Sequence, residues 1–395
     1  MATMKLKILF FTANRAEFGY LLPFLIELDN EFAIDLMVTG AHLLEPWHSI
    51  DEIVNACRQY ELNVTLHPFA IEPTGNTSID SHHRIQEKAA QLIQKNHYDY
   101  AFVLGDRPES LAFATASFLH QTPLIHYAGG DVTNNYYLDS TIRHAITKLS
   151  HLHLTLTQDA AQVVEQLGEE SWRVHNVGIS TFDFDRMGLL PSKEELSAFL
   201  PKLSLEKELI VFTYHAAHYK SAEQNLDDYR QLLQLLEKLG IETIVTYPNN
   251  DTGSQKIIEY LENSHFPSHI QLIKNMGTFR LLALYKNYKT LIIGNSSGGL
   301  LESALYRVPT LNIGDRQGDR KRVDNVIDAA LDMREIERKI NLMIKNYDAI
   351  QQQSEARSHY FGSGESVLVL KNILRDKTLT RDKLLFKQFT LQHPC

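Results

Sequence analysis

Residues 5–28 read KLKILFFTANRAEFGYLLPFLIEL. The segment up to Thr12 is an almost unbroken apolar run, as expected for a β-strand that is covered on both faces. After the polar residues Asn14 and Arg15, apolar side chains return at spacings of three to four, which is typical of an amphipathic helix. This stretch therefore predicts a strand followed by a helix, the repeating unit of a parallel α/β domain.

The same unit recurs along the whole chain, with helical patterns such as 85–93, 228–239 and 279–286 between apolar runs. The pattern predicts an α/β protein with two Rossmann-like, doubly wound domains, whose polar strand ends face each other across a cleft. The predicted strands are Lys5–Thr12, Ile34–Thr39, Tyr100–Leu104, Leu124–His126, Leu152–Leu156, Leu209–Tyr214, Thr243–Tyr247, Ile270–Ile273, Leu291–Gly294 and Thr310–Ile313.

The pattern breaks just before Pro191, where Ser192 and Glu195 have the spacing of a capping box. We therefore expect an N-terminal domain over 1–190, a nucleotide-binding C-terminal domain over 191–375 and a helical tail over 376–395, with helical sequence across 365–391. Residues 68–83 are rich in Pro, Gly, Thr and Ser and predict a long loop, which either covers a site or is a simple surface excursion.

Composition narrows the class of protein. The 395 residues carry 39 Lys+Arg against 48 Asp+Glu, a net charge of −9, which argues against nonspecific binding to nucleic acid. Two cysteines cannot form a disulfide framework, and no apolar run approaches the ~20 residues that span a membrane. We expect a cytoplasmic protein with neither nucleic acid nor membrane as a partner.

The strand ending at Gly294 is followed by NSSGG and a helical pattern, the clearest candidate for phosphate binding. Small residues let the backbone approach an anion, hydroxyl groups add donors, and a helix N-terminus adds partial positive charge. Glu302 could accept from ribose hydroxyls, while Arg15 and Arg316 would supply positive charge to a pyrophosphate. The segment is neither a Walker loop nor GxGxxG, and an ordinary turn with surface arginines is the alternative.

Acidic residues and a histidine at other strand ends are candidates for acid/base chemistry: Asp106, Asp131, Asp139 and His215. Simpler explanations exist for two of them. Asp106 could cap the helix that begins at Pro108, and Asp139 could form a helical ion pair with Arg143. No metal is predicted, because the remaining histidines of this region show no ligand spacing and are interpreted as structural: His144, His151 and His153.

A series of short segments occurs in fixed order along the chain: NRAEFG at 14–19, VTGAHL at 38–43, LGDR at 104–107, GGDVT at 129–133, IRHAITKLSH at 142–151, TYH at 213–215, YPN at 247–249, IGNSSGG at 293–299 and NIGDRQ at 312–317. With these segments the chain resembles, over roughly residues 5–375, the hydrolysing UDP-N-acetylglucosamine 2-epimerase family of sialic-acid-type sugar biosynthesis. The resemblance implies a GT-B arrangement and anti-elimination of UDP followed by hydration, with release of the free 2-epimerised acetamido sugar. It implies no nicotinamide or metal cofactor and a homo-oligomer, a dimer or a dimer of dimers.

The resemblance also implies site residues. It assigns catalysis to Asp106, Asp131, Asp139, Arg143 and His215, with the first two handling protons and the last two stabilising the departing diphosphate. It assigns binding of the UDP-sugar to Arg15, His42, Asn249, Ser296, Ser297, Gly298, Glu302 and Arg316.

Several positions depart from the family pattern. The chain has Asp131 in place of Glu, Ser140 in place of the second acid of an Asp-Asp pair, and Gly298 in place of Ser; further departures are Ala216, Asp319 and residues 44–48. These departures favour either a different substrate, such as a diacetamido-trideoxy sugar nucleotide on the way to a legionaminic-type acid, or altered activity. A GT-B glycosyltransferase and a nucleotide-sugar-binding protein without epimerase activity remain the alternatives.

Overall fold

The computed structural model describes residues 5–44, 49–71, 77–132, 137–217, 219–248, 253–274, 276–318, 320–353 and 359–388. The chain forms two compact units. The first contains the residues up to Asp183 together with those from Gly362 onward, and the second is Phe184–Phe361. Within the described ranges, no helix combines the length and the apolar character that crossing a membrane requires.

The first unit is built on a seven-stranded sheet in which every neighbouring pair is parallel. Its strands are β1 (Lys7–Thr12), β2 (Ala33–Val38), β3 (Thr65–Pro68), β4 (Tyr100–Leu104), β5 (Leu124–Tyr127), β6 (Leu152–Thr155) and β7 (Val174–Asn176). The helices that follow these strands are α1 (Arg15–Leu28), α2 (Ile50–Gln59), α3 (Thr77–Asn96), α4 (Pro108–Leu119), α5 (Tyr137–Leu149) and α6 (Gln158–Gln166), and the short helix α7 (Asp183–Arg186) begins at the last residue before the boundary.

The second unit repeats the design with a six-stranded parallel sheet. Its strands are β8 (Leu209–Thr213), β9 (Glu242–Thr246), β10 (Ile270–Ile273), β11 (Thr290–Gly294), β12 (Thr310–Ile313) and β13 (Val326–Ala329). Its helices are α8 (Lys193–Phe199), α9 (Ala222–Leu239), α10 (Ser254–Asn263), α11 (Thr278–Asn287), α12 (Gly298–Leu301), α13 (Met333–Lys345) and α14 (Tyr347–Gln353). The chain then returns to the first unit with α15 (Ser366–Arg375) and α16 (Arg381–Leu385).

Strand order places a ligand-binding position in each sheet. The orders are β3-β2-β1-β4-β5-β6-β7 and β10-β9-β8-β11-β12-β13, so the direction of winding reverses between β1 and β4 and again between β8 and β11. Ligands of doubly wound sheets bind beyond the carboxyl ends of the strands at such reversals. In this chain those ends are followed by Asn14 and Asp106 in the first unit, and by His215 and Asn295 in the second.

The predicted strands are all present, with ends within about two residues, the usual uncertainty of such boundaries. The strands that the sequence pattern missed are β3, β7 and β13, and each lies at the edge of its sheet. These edge strands are covered less completely than central ones, so they lack a continuous apolar run; β3, whose four residues are all exposed or half-buried, illustrates this.

Two other expectations differ from the structure. Helix α3 already begins at Thr77, so the second part of the predicted 68–83 loop is helical, while residues 72–76 lie outside the described ranges. The predicted helical segment 365–391 is two separate helices, α15 and α16. The capping box at the start of α8 is confirmed: Ser192 accepts from the backbone of Glu195, whose carboxylate accepts from the backbone of Ser192.

The units also differ from the expected domain boundaries at 190/191 and 375/376. Residues from Gly362 onward belong to the first unit because the Asp183 carboxylate accepts hydrogen bonds from the backbone N–H groups of Ser366, at 3.0 Å, and Val367, at 3.4 Å. Further along α15, Lys371 forms ion pairs with acidic residues of α1, including Glu27 at 3.0 Å. These contacts join parts of the chain that are far apart in sequence, which sequence periodicity does not report.

Candidate functional site

In the first unit, Arg143 connects the ends of two neighbouring strands. Its guanidinium, carried by α5, forms an ion pair with the carboxylate of Asp106, which follows β4, and donates to the backbone carbonyl of Asp131, beyond β5, at 2.5 Å. The Asp131 carboxylate lies 3.9 Å from the same guanidinium. The Arg143 side chain is 6% exposed, against 25% for Asp106 and 35% for Asp131. The arginine is therefore held inside while both carboxylates remain open to solvent.

Helix α5 explains why Asp139 and Arg143 belong to this group. Asp139 lies in the first turn of the helix and Arg143 four residues later, a spacing that places both on one face. Asp139 is half-buried. The capping role considered for Asp106 is not what the structure shows: the N-cap residue of α4 is Arg107, no side-chain cap bond is made, and Pro108 occupies the start of the helix.

Glu17 is a buried carboxylate at the carboxyl end of β1 that the sequence did not single out. It accepts hydrogen bonds from the backbone N–H groups of Ala13, at 2.7 Å, and Asn14, at 3.2 Å, and so completes a capping box for α1. Burial raises the pKa of this carboxyl to about 7, although the bond from Ala13 and the charge of Arg107 oppose the rise. The turn that follows β1 is thus fixed by a group whose charge changes near neutral pH.

His42 is fully buried beside this turn. Its Nε2 lies 3.0 Å from the Thr12 hydroxyl and its Nδ1 lies 2.8 Å from the Ser49 hydroxyl, so the ring links β1 to the residue before α2. Contact of His42 with a ligand stays a prediction. The side chain of Arg15 and the whole of Asn249 lie outside what the structure describes.

In the second unit, β8 and β11 approach closely where their carboxyl ends meet. Gly294, the last residue of β11, has a φ of +143°, and a Cβ atom there would lie 1.9 Å from the Thr213 carbonyl oxygen. Only glycine fits this position. The residues that follow, His215 and Asn295, are brought side by side as a result.

Asn295 organises this second group. Its side-chain oxygen accepts from the His215 N–H at 2.7 Å, and its side-chain nitrogen donates to the His215 carbonyl at 2.9 Å. The backbone carbonyl of Asn295 accepts from the Arg316 guanidinium at 3.1 Å and from the Gln317 amide at 2.7 Å. Sequence reasoning included Asn295 in the candidate phosphate-binding segment 295–299 and Gln317 in the segment 312–317, but it assigned neither residue a role of its own. An asparagine directly after a buried strand was the available signal for the first.

The predicted phosphate-binding residues follow Asn295: Ser296, Ser297 and Gly298, all half-buried. The Ser296 hydroxyl accepts from the Gly298 N–H at 3.3 Å. Helix α12 has only four residues and continues as a 3-10 turn over Glu302–Ala304, so its dipole is weaker than that of the longer helix expected from the sequence. A Cβ atom at Gly298 would lie 3.1 Å from Glu302 Oε2, so the absence of a side chain makes room for this carboxylate.

The two groups therefore differ in chemistry. The first contains half-buried carboxylates beside a buried guanidinium, which suits proton transfer. The second contains hydroxyl groups, backbone N–H groups and Arg316, which suits an anion such as a phosphate. Among the described residues, no three His, Cys, Asp or Glu side chains form a metal-binding cluster. His151 and His153 are both buried, and His153 lies 3.0 Å from Glu169; their interpretation as structural residues stays a prediction.

A family model and individual relatives both match most of this chain. The family described as UDP-N-acetylglucosamine 2-epimerase matches residues 26–375. The chain is 31% identical to polysialic acid biosynthesis protein P7 of Escherichia coli over 384 residues, covering 94% of this chain and 95% of the relative. It is 32% identical to the hydrolysing GDP/UDP-N,N'-diacetylbacillosamine 2-epimerase of Campylobacter jejuni over 336 residues, covering 83% and 85%.

Among solved structures, UDP-GlcNAc 2-epimerase from Neisseria meningitidis, bound to UDP-GlcNAc, superposes with a TM-score of 0.76 at 16% identity. The match covers 94% of this chain and 100% of that one. At this identity the likeness shows the fold alone. It confirms the expected fold class of two α/β domains with parallel sheets, the GT-B type.

Proposed function

The chain belongs to the UDP-N-acetylglucosamine 2-epimerase family, and from this premise we propose that it is a hydrolysing 2-epimerase acting on a UDP-linked N-acetylated amino sugar. The products are the free 2-epimer and UDP. The observation that carries the proposal is the placement of Asp106 and Asp131 on either side of the buried Arg143, at the sheet edge where ligands of this fold bind.

The reaction divides into elimination and hydration. A base takes the proton from C2, the carbon that bears the acetamido group; the electron pair forms a C1–C2 double bond, and the bond from C1 to the diphosphate oxygen breaks. Water then adds across the double bond: its hydroxyl adds to C1, and a proton adds to C2. The proton reaches C2 from the face opposite the one that lost its proton, so the configuration at C2 is inverted. The sum is one sugar nucleotide and one water converted to one free sugar and one UDP.

Asp106 and Asp131 are the proposed proton-transfer groups, because both carboxylates are accessible and both are held by the same arginine. Asp139, one turn before Arg143 on α5, would add a third acidic group on that helix face. The guanidinium of Arg143 is engaged by Asp106 and by the Asp131 carbonyl. We therefore assign it to positioning of the acids and no longer to the diphosphate.

The second unit supplies the proposed contacts to UDP. Ser296, Ser297 and Arg316 would bind the phosphates, and Glu302 would accept from the ribose hydroxyls. His215 would stabilise the departing diphosphate, with its backbone held by Asn295. A preorganised set of donors is effective here because charge develops on the leaving group during elimination.

The sugar is either UDP-N-acetylglucosamine or a diacetamido-trideoxy relative. The C. jejuni relative is named for diacetylbacillosamine, which supports the second. Asp131, one methylene shorter than the glutamate of the family pattern, supports it as well, since a shorter acid reaches a differently placed sugar.

The test is incubation of the purified protein with each sugar nucleotide in D2O. Phosphorus NMR reports UDP, and proton NMR reports the free sugar and its configuration. Elimination and hydration together predict one deuterium at C2 of the free 2-epimer, because the proton added there comes from solvent.

Each other outcome identifies a different function. Free sugar without deuterium and with unchanged configuration indicates simple hydrolysis. A glycosylated acceptor indicates a glycosyltransferase, and an intact UDP-linked epimer indicates a nonhydrolysing epimerase. UDP binding without consumption of any sugar nucleotide indicates a binding protein and contradicts the proposal.

The proposal includes a cytoplasmic homo-oligomer. Among the described residues Cys57 is a free thiol, which supports a reducing compartment. Light scattering of the purified protein gives the oligomeric state, and a monomer at the concentration of the activity assay would contradict this part of the proposal.

A further inference from the structure

His126 is a fully buried histidine on β5 with a polar contact at each ring nitrogen. Its Nε2 lies 2.9 Å from the Gly105 carbonyl oxygen, and its Nδ1 lies 3.1 Å from the Thr147 hydroxyl. A carbonyl only accepts hydrogen bonds, so Nε2 carries a proton. Burial lowers the pKa of His126 to about 3, so at neutral pH the ring is uncharged and Nδ1 is an acceptor.

Both partners of His126 adjoin the proposed acid/base group. The Gly105 carbonyl belongs to the peptide bond that precedes Asp106. The Thr147 hydroxyl also lies 3.0 Å from the backbone carbonyl of Arg143, one turn back along α5; because it has a single proton, it donates either to this carbonyl or to His126 Nδ1 at any one time. Since Arg143 in turn pairs with Asp106, the contacts form a closed ring through Asp106, Arg143, Thr147, His126 and Gly105.

We propose that His126 is a positioning residue that fixes the backbone before Asp106 and, through Thr147, the turn of α5 that carries Arg143. The inference rests on the proposed epimerase function, for which Asp106 is a proton-transfer group. It adds a residue that touches no substrate and that neither the strand-end pattern nor the family motifs assigned.

Packing shows why a hydrogen bond is needed at this point. Gly105 has a φ of +78° and no atom within 4 Å of the place where its Cβ would be, so side-chain packing does not hold it. Its N–H donates to the Tyr127 carbonyl at 3.0 Å, and His126 engages its carbonyl, so both ends of the residue depend on β5. On the other side, a Cβ atom at Gly129 would lie 2.9 Å from His126 Nδ1. The ring is therefore confined to one place, while the peptide it holds has freedom to move.

The test compares His126→Leu with His151→Leu. His151 is also buried, also has a pKa lowered to about 3 by burial, and also makes a backbone contact, accepting from the Leu124 N–H at 3.0 Å. It precedes β6 at the amino edge of the sheet, away from Asp106. Both variants should lose stability, so activity is measured at a temperature at which both are folded.

We expect His126→Leu to lower kcat by about 10- to 100-fold with KM and the Kd for UDP nearly unchanged, because misplacement by about 1 Å costs up to this much. His126→Gln, which keeps a donor toward the Gly105 carbonyl, should recover part of the loss. Thr147→Val, which removes the hydroxyl group, should lower kcat. Thr147→Ser, which keeps the hydroxyl group, should have a kcat near that of the wild type. Hydrogen exchange of the peptide spanning residues 102–110 should accelerate in His126→Leu and remain unchanged in His151→Leu.

Equal kcat values and equal exchange in His126→Leu and His151→Leu would overturn the inference. The proposed function fails separately, when the wild-type protein releases no UDP from either sugar nucleotide. In that case the exchange measurement still decides whether His126 holds the segment around Asp106.

Discussion

The side-chain amide of Asn295 pairs with both backbone polar groups of His215, accepting from the N–H at 2.7 Å and donating to the carbonyl at 2.9 Å. Asn295 is 1% exposed, so neither bond competes with water. The pair fixes the first residues beyond β8 to those beyond β11, at the position where the winding of the second sheet reverses.

Replacing this amide by a carboxylate should disturb His215 without changing side-chain size. In Asn295→Asp, a carboxylate oxygen faces the His215 carbonyl, so a donor–acceptor contact becomes a repulsive one. We expect kcat/KM to fall by about tenfold or more, as for the loss of a buried hydrogen bond with an unsatisfied partner. The matched control is Asn325→Asp: Asn325 is a buried asparagine of the same unit, lies just before β13 and donates to the Val308 carbonyl. It should lower the melting temperature but leave kcat/KM per folded enzyme unchanged; an equal loss would contradict the role of Asn295.

Asp106→Asn tests the proton-transfer role directly. The amide keeps the shape of the side chain but cannot take a proton, so kcat should fall by about 100-fold or more, the usual contribution of acid/base catalysis. UDP affinity, measured by calorimetry, should remain as in the wild type because the proposed UDP contacts lie in the second unit. Asp35→Asn is the control, and its kcat should stay near that of the wild type. Asp35 is a buried carboxylate of β2 that accepts from the Tyr98 hydroxyl at 2.6 Å and has no role in the proposed mechanism. A wild-type kcat in Asp106→Asn would remove this residue from the mechanism.

Asp131→Glu tests whether the shorter acid selects the substrate. The Asp131 carboxylate lies 3.9 Å from the Arg143 guanidinium. Glutamate has one more methylene group, which would move the carboxylate by about 1 Å, and a displacement of this size can change rates by up to a hundredfold. We expect the ratio of kcat/KM for UDP-N-acetylglucosamine to that for the diacetamido-trideoxy sugar nucleotide to rise by about tenfold. Parallel changes with both substrates would show that residue 131 does not discriminate between them.

Glu17→Gln should change how stability depends on pH. Burial raises the pKa of Glu17 to about 7 in the folded protein, above its ordinary value of 4.5, so the folded state retains this proton more strongly than the unfolded state. The stronger binding of this proton stabilises the folded state by at most about 3 kcal/mol. This contribution is fully present below about pH 4.5 and is lost as the pH rises through about 7. Glutamine mimics the neutral form and keeps an acceptor for the Ala13 N–H. Urea unfolding at pH 5 and pH 8 should therefore show the variant gaining stability relative to wild type at the higher pH, whereas parallel curves would contradict the raised pKa.

Gly294→Ala should damage the second unit more than an ordinary glycine replacement. A Cβ atom at Gly294 overlaps the Thr213 carbonyl oxygen, so β8 and β11 must separate. Gly240, at the end of α9, also has a positive φ, +65°, but no atom lies within 4 Å of its Cβ position. We expect Gly240→Ala to cost about 1 kcal/mol and Gly294→Ala more than about 3 kcal/mol, with loss of UDP binding. Similar unfolding free energies for the two variants would show that the strand ends adapt.

Much of the architecture could be predicted because buried parallel strands must be apolar along their whole length, and β1 and β4 show this directly. The positions of Asp106 and Asp131 could be predicted for a related reason: in this fold the residues that follow such strands share one edge. Three of the four edge strands, β3, β7 and β13, escaped prediction because such strands are only partly covered, as in β3.

The α/β class, the two repeated sheets and the family can be read from the sequence, because they depend on local periodicity and on short segments in fixed order. Three features became visible only in the folded chain: Arg143 is buried between two acids, Asn295 holds His215, and the chain after Gly362 returns to the first unit. Each of these depends on hydrogen bonds or ion pairs between residues at least 12 positions apart. Such contacts exist only once the strands are in register, and no local pattern of side chains records them.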